Sequence, residues 1–183
     1  MIATTISHYN ILEEVGKGGM GIVYKARDLH LDRLVAIKFL PASLSSDKPL
    51  TEQFIHEARA ASALDHPNIC TIHEFDKTDD NRLYMVMTYC SGHTLSDRIL
   101  EAHGNAPLLP VNECINIAIQ IAQGLTQAHK NGIIHRDIKP ANIMITDEDE
   151  VKILDFGLAG VKEDMRKSAQ GTTAGTAAYM SPE

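Results

Sequence analysis

The sequence predicts an α+β fold in which a strand-rich first region precedes a mainly helical second region. Three observations predict it. Short runs rich in β-branched and aromatic residues occupy 9–40 and 66–90, separated by polar or glycine-rich turns. One helical pattern, at 51–64, interrupts these strands. The longest helical pattern of the chain follows at 110–132, after the strand-like runs have ended.

The strands of the first region come in two groups, three before the predicted helix and two after it. Short polar turns between neighbouring strands favour antiparallel pairing. Thr51, at the start of the helical pattern, is of a residue type that commonly caps a helix N-terminus. The predicted strands cover 9–15, 21–28, 33–40, 66–77 and 82–90, and the apolar helix face consists of Phe54, Ala58, Ala61 and Leu64.

The second region begins with a helical pattern at 91–99 and continues with the long one at 110–132. The apolar positions of the long pattern cover more than one face, which is typical of a helix that packs against neighbours on two sides. Gly132 follows the last periodic residue and is a candidate C-cap. Residues 142–146 and 151–156 flank an acidic turn and predict a small hairpin. The apolar helix positions are Cys114, Ile115, Ile117, Ala118, Ile119, Ile121, Ala122, Leu125 and Ala128.

Composition and charge limit the number of domains, the kinds of binding partner and the cellular compartment that we expect. The 183 residues suffice for one domain or two small ones. The formal net charge of −7 argues against a nucleic-acid partner, because a phosphate backbone needs a basic surface. Cys70, Cys90 and Cys114 form no C-x-x-C pair, which indicates a reducing compartment and offers no zinc site. No stretch has the pattern of a signal peptide or a membrane span, so we expect a cytoplasmic protein with no membrane segment in these residues.

Gly16, Gly18 and Gly21 form a G-x-G-x-x-G pattern between two predicted strands. Glycine lets a backbone approach phosphate oxygens closely and present its N–H groups to them. A dinucleotide-binding version of this pattern opens a helix and is followed by an acidic residue about 20 residues later, whereas here a strand follows. The context favours a flap over phosphates. A glycine-rich hairpin without a ligand has the same pattern.

Lys38 lies inside an apolar strand, after Val35, Ala36 and Ile37. Its side chain could extend along the apolar surface to solvent, which is the more common arrangement for a lysine in a strand. On the inner face it needs an anion, and Glu57 in the predicted helix is a candidate partner. Such a pair would hold the ammonium where it contacts nucleotide phosphates. Taken singly, Glu57 is typical of an exposed helix acid.

The stretch "HRDIKPAN" brings three functional groups into one short loop. The Asp137 carboxylate can orient a hydroxyl and accept its proton, the Lys139 ammonium can offset phosphate charge, and the Asn142 amide oxygen can ligate Mg²⁺. Asp155, in "DFG", follows Asn142 by 13 residues and offers a second oxygen ligand. Since Mg²⁺ prefers one or two protein oxygens together with phosphates and water, this combination indicates phosphoryl transfer.

Together these motifs resemble those of eukaryotic-like (Hanks-type) serine/threonine protein kinases, in particular the bacterial members. The resemblance extends from about Tyr9 to Glu183. It implies a protein-kinase-like two-lobed fold, with an antiparallel nucleotide-binding lobe and one helix at 9–88 and an incomplete, mainly helical lobe at 89–183. The motifs are Gly16-x-Gly18-x-x-Gly21-x-Val23, Val35-Ala36-Ile37-Lys38, Glu57, His135-Arg136-Asp137, Asn142, Asp155-Phe156-Gly157 and Ser181-Pro182-Glu183.

The resemblance implies ATP and Mg²⁺ as cofactors. In the family, the lysine at the position of Lys38 contacts the α and β phosphates and is held by the glutamate at Glu57. Asn142 and Asp155 match the two Mg²⁺ ligands. The glycine-rich loop that covers the phosphates corresponds to Gly16, Lys17, Gly18, Gly19, Met20 and Gly21.

The resemblance also implies an adenine site. Met87 matches the gatekeeper position, and the stretch from Thr88 to Cys90 offers backbone groups to the base. An acidic residue is common in the family at the position of Thr88. Because the backbone makes these contacts, the difference leaves the expectation intact. The apolar residues that sandwich adenine correspond to Val23, Ala36 and Met144, a role that ordinary core packing would also satisfy.

For catalysis, the resemblance assigns Asp137 as the base, Lys139 as the lysine that stabilises the transferred phosphate, and Thr176 as the threonine that braces both. The family's arginine at Arg136 pairs with a phosphate on the activation loop through charge-assisted hydrogen bonds. The hydroxyls available in that loop belong to Ser168, Thr172 and Thr173, of which Thr172 and Thr173 are the predicted phosphorylation sites. A flexible polar loop with incidental hydroxyls is the alternative.

In the family, further C-terminal helices follow the Ser-Pro-Glu motif, which here occupies 181–183. We therefore expect a C-terminally truncated catalytic domain, with poor solubility and weak or no activity for the 183-residue chain itself. The full-length protein could be membrane-anchored through sequence after Glu183.

The predicted function is thus an ATP-dependent protein serine/threonine kinase that transfers the γ-phosphoryl group to Ser or Thr hydroxyls of protein substrates. Autophosphorylation through a homodimer is a further expectation. A non-catalytic nucleotide-binding or scaffold fragment is the alternative, because of the truncation. A small-molecule kinase of related fold is disfavoured by Lys139, by the complete DFG motif and by the Ser-Pro-Glu end.

Overall fold

The computed structural model describes residues 5–18, 21–42, 47–103 and 109–156. The chain divides into two compact units. The first unit comprises 1–62 and 71–89, and the second comprises 63–70 and 90–183. The sequence placed 63–70 with the first region. The backbone hydrogen bonds of this segment, described below, explain why it belongs to the second.

The first unit contains a six-stranded antiparallel sheet in the order β1-β2-β3-β4-β6-β5. Each β-rich run of the sequence forms a strand of this sheet, which confirms the predicted antiparallel first region. The sequence did not predict β1, a two-residue strand at the outer edge. The strands are β1 Thr5–Ile6, β2 Tyr9–Gly18, β3 Gly21–Asp28, β4 Arg33–Phe39, β5 Ile72–Lys77 and β6 Leu83–Thr88.

Side chains alternate between the two faces of β4. Val35, Ile37 and Phe39 are buried in an apolar cluster that also contains residues of β2, β3 and β6. Because successive strand residues point to opposite faces, Ala36 and Lys38 lie on the other face of the sheet. This alternation separates the core of the first unit from the face that carries the predicted nucleotide-binding residues.

The helix of the first unit, α1, spans Lys48–Ser62 and begins earlier than the sequence predicts. Thr51 is inside the helix, so the prediction that it caps the N-terminus is wrong. Asp47 lies at the cap position instead, where its Oδ1 accepts a hydrogen bond from the Leu50 N–H at 3.1 Å. Phe54 is fully buried on the inner face and packs against Phe75 of β5, with ring centroids 5.3 Å apart.

The second unit contains two helices, a short 3₁₀ turn and a three-stranded antiparallel sheet in the order β7-β8-β9 among its described residues. The predicted helix at 91–99 begins with a short strand, after which Thr94 and Asp97 exchange backbone and side-chain hydrogen bonds as a capping box. The elements are β7 Gly92–Thr94, α2 Leu95–His103, α3 Val111–Lys130, the 3₁₀ turn Pro140–Asn142, β8 Ile143–Thr146 and β9 Val151–Ile153.

Helix α3 ends at Lys130 with Asn131 as its C-cap, and Gly132, the predicted C-cap, is the next residue, with a φ of 72°. The Gly132 N–H donates to the His129 carbonyl and the Ile133 N–H donates to the Ala128 carbonyl, the two hydrogen bonds of a Schellman motif. No helix among the described residues is long and apolar enough to span a lipid bilayer.

The segment 63–70 lies against the hairpin of β8 and β9. The Ile153 N–H donates to the Asn68 carbonyl at 2.9 Å, and the Cys70 N–H donates to the Ile153 carbonyl at 3.0 Å. The Asn68 side chain donates to the Val151 carbonyl and to Gln120 Oε1 of α3, each at 3.0 Å. These hydrogen bonds, from residues more than 50 positions apart in sequence, tie the segment to the second unit.

Helix α3 approaches β9 through Gly124, which is buried. A Cβ atom at this position would lie 2.8 Å from Ile153 Cδ1 and 3.1 Å from the Asn68 carbonyl oxygen. The lack of a side chain at Gly124 therefore sets the spacing between the helix and the hairpin. The predicted apolar stripe is only partly used among the described residues, since Ile117 and Ala128 are buried whereas Ile115 and Ile119 are about half exposed.

We predict that Gly124→Ala lowers the free energy of unfolding. Overpacking costs roughly 1–3 kcal/mol, which exceeds the gain of about 1 kcal/mol in helix propensity from glycine to alanine. Urea unfolding followed by circular dichroism measures the difference. Ile153→Val removes the Cδ1 methyl group, so the double variant should recover part of the loss. A Gly124→Ala variant at least as stable as the parent would contradict this account of the packing.

Tyr84 gives the first unit a predictable response to alkaline pH. Its side chain is buried, and this burial, with smaller contributions from the Asp76 and Glu74 carboxylates, raises its pKa from 10.0 to about 12. Because the folded state holds the proton more tightly, the stabilisation is complete below about pH 10 and is lost as the pH rises towards 12. Tyr84→Phe should therefore make the free energy of unfolding less dependent on pH in this window. Urea unfolding at several pH values between about 10 and 12 measures this dependence. Tyr24→Phe, in the same sheet, is the control for the loss of a tyrosine hydroxyl.

Candidate active site

Three of the predicted catalytic residues meet in the loop that follows α3. The 3₁₀ turn brings Asn142 back towards Asp137, and its Nδ2 donates to the Asp137 carbonyl at 2.7 Å and to Asp137 Oδ2 at 3.1 Å. The Lys139 ammonium lies 3.1 Å from the same Oδ2 atom. Asp137 and Asn142 are buried, with 6% and 7% of their surface exposed. A carboxylate, an amide and an ammonium therefore form one small polar cluster.

His135 connects this loop to the residue that follows β9. Its Nε2 lies 2.8 Å from the Leu154 carbonyl, and the Asp137 N–H donates to its Nδ1 at 3.2 Å. A carbonyl can only accept and a backbone N–H can only donate, so these partners assign the neutral tautomer with the proton on Nε2. The ring also packs edge-on against Phe156, with centroids 4.6 Å apart. The sequence included His135 in a motif but gave it no role, and its role here is to position Asp137.

Two residues of the loops have left-handed backbone conformations. Arg136 has a φ of 62° and Asp155 a φ of 59°, values that cost non-glycine residues on the order of 1–3 kcal/mol. Arg136 directly precedes Asp137, the predicted base, and Asp155 is itself a predicted metal ligand. Local strain of this kind is typical of functional loops that the surrounding structure holds in place.

Asn142 and Asp155 lie at the same end of the β8–β9 hairpin. Ile143 pairs with Ile153, and the Leu154 N–H extends the pairing by donating to the Asn142 carbonyl at 2.9 Å. Since Nδ2 of Asn142 is directed to Asp137, Oδ1 is the atom left to face a ligand. One amide oxygen and one carboxylate match the small number of protein ligands that Mg²⁺ takes alongside phosphates and water. The described residues contain no cluster of three or more His, Cys, Asp and Glu side chains.

The glycine-rich loop is partly explained by packing within the first unit. Gly18 pairs with Gly21 across the hairpin, and a Cβ at Gly21 would lie 1.7 Å from the Phe39 carbonyl oxygen, so this position must be glycine. At Gly16 the nearest described atom would be 3.9 Å away, and at Gly18 none would lie within 4 Å. Crowding by the described residues therefore does not account for Gly16 and Gly18, whereas close approach of a ligand to the backbone would.

The predicted nucleotide residues of β3, β4 and β6 share one face of the sheet. Val23 is directly opposite Lys38, and Ala36 is directly opposite Met87, in the antiparallel register. Because Ala36 and Lys38 are two residues apart, all four side chains lie on the same face. Lys38 is buried, with 5% of its surface exposed. The structure thus rejects the alternative that Lys38 extends into solvent.

Thr88 and Glu57 each have a hydrogen-bond partner within the first unit. The Thr88 N–H donates to the Thr71 carbonyl at 3.0 Å, so the prediction that Thr88 offers a backbone group to adenine rests on its carbonyl. Glu57 Oε1 accepts from Gln53 Nε2 at 3.2 Å, one helical turn away, and Oε2 is buried without a hydrogen-bond partner in the described part of the chain. The structure therefore does not place the Glu57 carboxylate in the predicted ion pair with Lys38, because a neighbour in its own helix binds it.

The remaining predicted site residues are distributed as follows. Gly16, Lys17 and Gly18 form the end of β2, Met144 lies in β8, and Cys90 lies two residues before β7. Gly19, Met20, Ser168, Thr172, Thr173, Thr176 and the Ser-Pro-Glu motif lie outside the described residues.

Comparison with known proteins defines the class to which this fold and loop belong. Residues 9–183 match the protein kinase domain family, and the chain therefore belongs to that family. This confirms the resemblance seen in the motifs and the kinase-like α+β fold. A crystal structure of the PknI kinase domain of Mycobacterium tuberculosis matches with a TM-score of 0.75 and 29% sequence identity, over 85% of this chain and 60% of that one.

Among curated relatives, the chain is similar to bacterial serine/threonine-protein kinases. It is 42% identical to PrkC of Bacillus subtilis over 96% of its length, and 42% identical to PknB of Mycobacterium tuberculosis H37Rv over 98%. A probable serine/threonine-protein kinase of Clostridium acetobutylicum is also 42% identical, over the whole chain. The chain spans 26%, 30% and 27% of the length of these three relatives, respectively.

We predict that Asn142→Ala destabilises the second unit even without nucleotide or metal. The substitution removes two buried hydrogen bonds to Asp137, one of them to a charged group, at a cost of about 2–4 kcal/mol. Urea unfolding in the presence of a chelator measures this loss separately from any effect on metal binding. Asn131→Ala, which removes an exposed hydrogen bond at the end of α3, is the matched control and should cost much less. Equal unfolding midpoints for the Asn142 variant and the parent would refute the structural role.

Proposed function

We propose that the protein is an ATP- and Mg²⁺-dependent serine/threonine protein kinase. Membership of the protein kinase family and similarity to serine/threonine-protein kinases support this proposal. The observation that carries it is the cluster of Asp137, Lys139 and Asn142, in which the Lys139 ammonium and the Asn142 amide both lie within hydrogen-bonding distance of the Asp137 carboxylate. We assign these groups as phosphate-binding cation, metal ligand and proton acceptor, respectively. This is the set of groups that phosphoryl transfer to a hydroxyl requires.

In this mechanism, Asp137 receives the acceptor Ser or Thr hydroxyl of the protein substrate and takes its proton as the oxygen attacks the γ-phosphorus. Lys139, beside the same carboxylate, offsets negative charge on the transferred phosphoryl group. Asn142 holds Asp137 in a fixed orientation through its Nδ2 while its Oδ1, with Asp155, would hold the metal. Mg²⁺, when bound, neutralises the phosphate oxygens and orients them for in-line transfer.

Residues of the first unit would hold the nucleotide. The Lys38 ammonium would bind the α and β phosphates, and the backbone at Gly16 and Gly18 would cover them. Val23, Ala36 and Met87, which share the face of Lys38, together with Met144 of the second unit, would contact adenine. Cys90 would supply a backbone group to the base. The regions 9–88 and 89–183 would thus act as the nucleotide-binding and catalytic parts of one kinase domain.

The choice of substrate and the regulation of the protein are part of the proposal. Protein chains with Ser or Thr acceptors would be the substrates, and a second copy of this chain could serve as one, with Thr172 and Thr173 as the acceptors. Arg136, whose side chain is exposed, would then bind the new phosphate. Thr176 would brace the catalytic loop.

Incorporation of γ-phosphate from labelled ATP, in the presence of Mg²⁺ and a generic protein substrate, tests the proposal. We expect Asp137→Asn to lower the rate by roughly 10²- to 10⁴-fold, because it removes the general base while keeping the shape of the side chain. Binding of a fluorescent ATP analogue should be unchanged, since Asp137 is proposed to contact the protein substrate and not the nucleotide. The assay compares the 183-residue chain with the product of its complete reading frame.

The alternative function is a nucleotide-binding scaffold without catalysis. The contact between Glu57 and Gln53 favours it, because the carboxylate proposed to hold Lys38 is directed elsewhere. Transfer by the longer product that is lost in its Asp137→Asn variant would support the kinase. Nucleotide binding by both chain lengths without transfer by either would support the scaffold and overturn the kinase proposal.

A further inference from the structure

Two cysteines that are 20 positions apart in sequence meet in the second unit. Cys70 is buried and fixed by its backbone, because its N–H donates to the Ile153 carbonyl at 3.0 Å and the preceding Ile69 bridges the same residue. Cys90 is half-buried and lies two residues before β7. The antiparallel pairing of Ile72 with Met87 continues through the hydrogen bond from the Thr88 N–H to the Thr71 carbonyl at 3.0 Å, and this register brings Cys70 beside the chain at Tyr89 and Cys90. Each thiol accordingly shifts the pKa of the other. Both are reduced.

Each cysteine also stands where the chain passes between the two units. Cys70 ends the segment 63–70 of the second unit, and the first unit resumes at Thr71. Cys90 begins the second part of the second unit, directly after Tyr89. The pair therefore lies at two of the points where the chain connects the units.

The environment makes the two thiols unequal. The hydrogen bond from Cys70 and the nearby Lys152 ammonium lower the pKa of Cys90, against the opposing effect of burial. The same hydrogen bond and burial raise the pKa of Cys70. Lys152 is held in place by the Pro67 carbonyl at 2.6 Å and the Glu150 carboxylate at 3.0 Å. Cys90 is thus the more readily ionised and more accessible sulfur, and Cys70 is its protected neighbour.

We propose that Cys70 and Cys90 form a redox-active pair that a peroxide oxidant converts reversibly into a disulfide. The proposed kinase function uses neither thiol, since it involves only a backbone group of Cys90. The sequence predicts a reducing compartment, where structural disulfides are rare, so a juxtaposed thiol pair there is suited to transient oxidation.

The chemistry balances with peroxide as the only co-reactant. The Cys90 thiolate attacks one peroxide oxygen, the O–O bond breaks, and the departing hydroxide takes a proton to become water, leaving a sulfenic acid on Cys90. The Cys70 sulfur then attacks the Cys90 sulfur, the S–O bond breaks, and the departing hydroxide takes the Cys70 proton as a second water. The two thiols lose two electrons in total, and peroxide is reduced to two waters. A dithiol reductant reverses the oxidation by thiol exchange.

Cys114 provides an internal comparison. It is exposed on α3, and its Sγ lies 3.9 Å from the Leu109 carbonyl oxygen. Exposure alone would make Cys114 the first thiol to react, and its oxidation would cross-link two chains. The juxtaposed pair predicts a bond within one chain instead, between the two less exposed cysteines.

A consequence for nucleotide binding rests on the proposed function. An S–S bond of about 2.05 Å is much shorter than a thiol–thiol hydrogen bond, so closing it must shift the backbone at Cys90. That backbone is proposed to contact adenine. Oxidation should therefore weaken binding of an ATP analogue several-fold, and a dithiol should restore it.

The decisive experiment maps the disulfide in the wild-type 183-residue chain. The reduced chain is treated with stoichiometric hydrogen peroxide, free thiols are alkylated, and a tryptic digest is analysed by mass spectrometry. Cleavage after Lys and Arg leaves the cysteines in three separate peptides, 60–77, 83–98 and 99–130. We expect a linked species of 60–77 with 83–98, abolished by dithiothreitol, with 99–130 alkylated.

Matched variants identify the role of each sulfur. Cys114→Ser should give the same linked peptide, and Cys90→Ser should give none. Cys70→Ala should instead accumulate a sulfenic acid on Cys90 that dimedone traps. Alkylation of all three peptides after peroxide treatment, or cross-linking of two chains through Cys114 alone, would overturn the proposal.

Nucleotide titration of the reduced and oxidised forms then separates the two inferences. If the reduced chain binds no nucleotide while the linked peptide forms, the proposed function fails and the redox pair stands. If the reduced chain binds nucleotide but no linked peptide forms, the redox pair fails and the proposed function is unaffected. Equal affinity of the two forms would refute the regulatory consequence.

Discussion

The pairing of β8 with β9 is the constraint on which the candidate site of the second unit depends. Each strand has only three or four residues, yet Ile143 and Ile153 are fully buried opposite each other. The Leu154 N–H continues the ladder to the Asn142 carbonyl, so the two proposed metal ligands, Asn142 and Asp155, emerge at the same end. The Leu154 carbonyl in turn fixes His135, which fixes the backbone of Asp137. One short hairpin therefore orients residues from two separate motifs.

Polar contacts, rather than an apolar stripe, hold this hairpin against α3. Gln120 accepts a hydrogen bond from the Val151 N–H at 2.9 Å and another from Asn68, and its Nε2 donates to the Asp149 carbonyl. Asn68 links the same strand through both its side chain and its carbonyl. Because buried polar groups are costly unless they are paired, such a network permits few alternative arrangements.

Much of this fold follows from local sequence patterns, and the parts that do not have identifiable causes. Strands β4 and β6 are buried on both faces over most of their length, so their apolar residue types predict them well. The start of α1 was missed because Asp47 and the following Lys-Pro lie outside the periodic apolar pattern, which draws attention to Thr51 instead. The attachment of 63–70 to the second unit depends on hydrogen bonds between residues far apart in sequence, which periodicity cannot reveal.

The sequence predicted the contacts of the candidate site where its residues lie in one loop, but not where they lie in different elements. Motif spacing predicted that Asp137, Lys139 and Asn142 lie together, since all three belong to one loop and both partners contact Asp137 there. The support that Asp137 receives through His135 from the distant Leu154 carbonyl was not predicted. The same reasoning paired Lys38 with Glu57, which belong to different elements of the first unit, and the structure instead shows Glu57 bound to Gln53. Contacts within a loop follow from sequence, whereas a contact between a helix and a sheet also depends on how the helix is rotated and placed.

The proposed kinase mechanism depends both on the loop around Asp137 and on the surroundings of Glu57 in α1. Within the second unit, an amide, an ammonium and a histidine of the same loop orient Asp137, the proposed base. Within the first unit, Glu57 has a buried carboxylate oxygen that lacks a hydrogen-bond partner among the described residues, an arrangement that costs free energy. A cation brought to that oxygen would remove the penalty. The proposed catalytic loop is thus held by its own contacts, whereas the Glu57 carboxylate in α1 would gain from a positively charged partner.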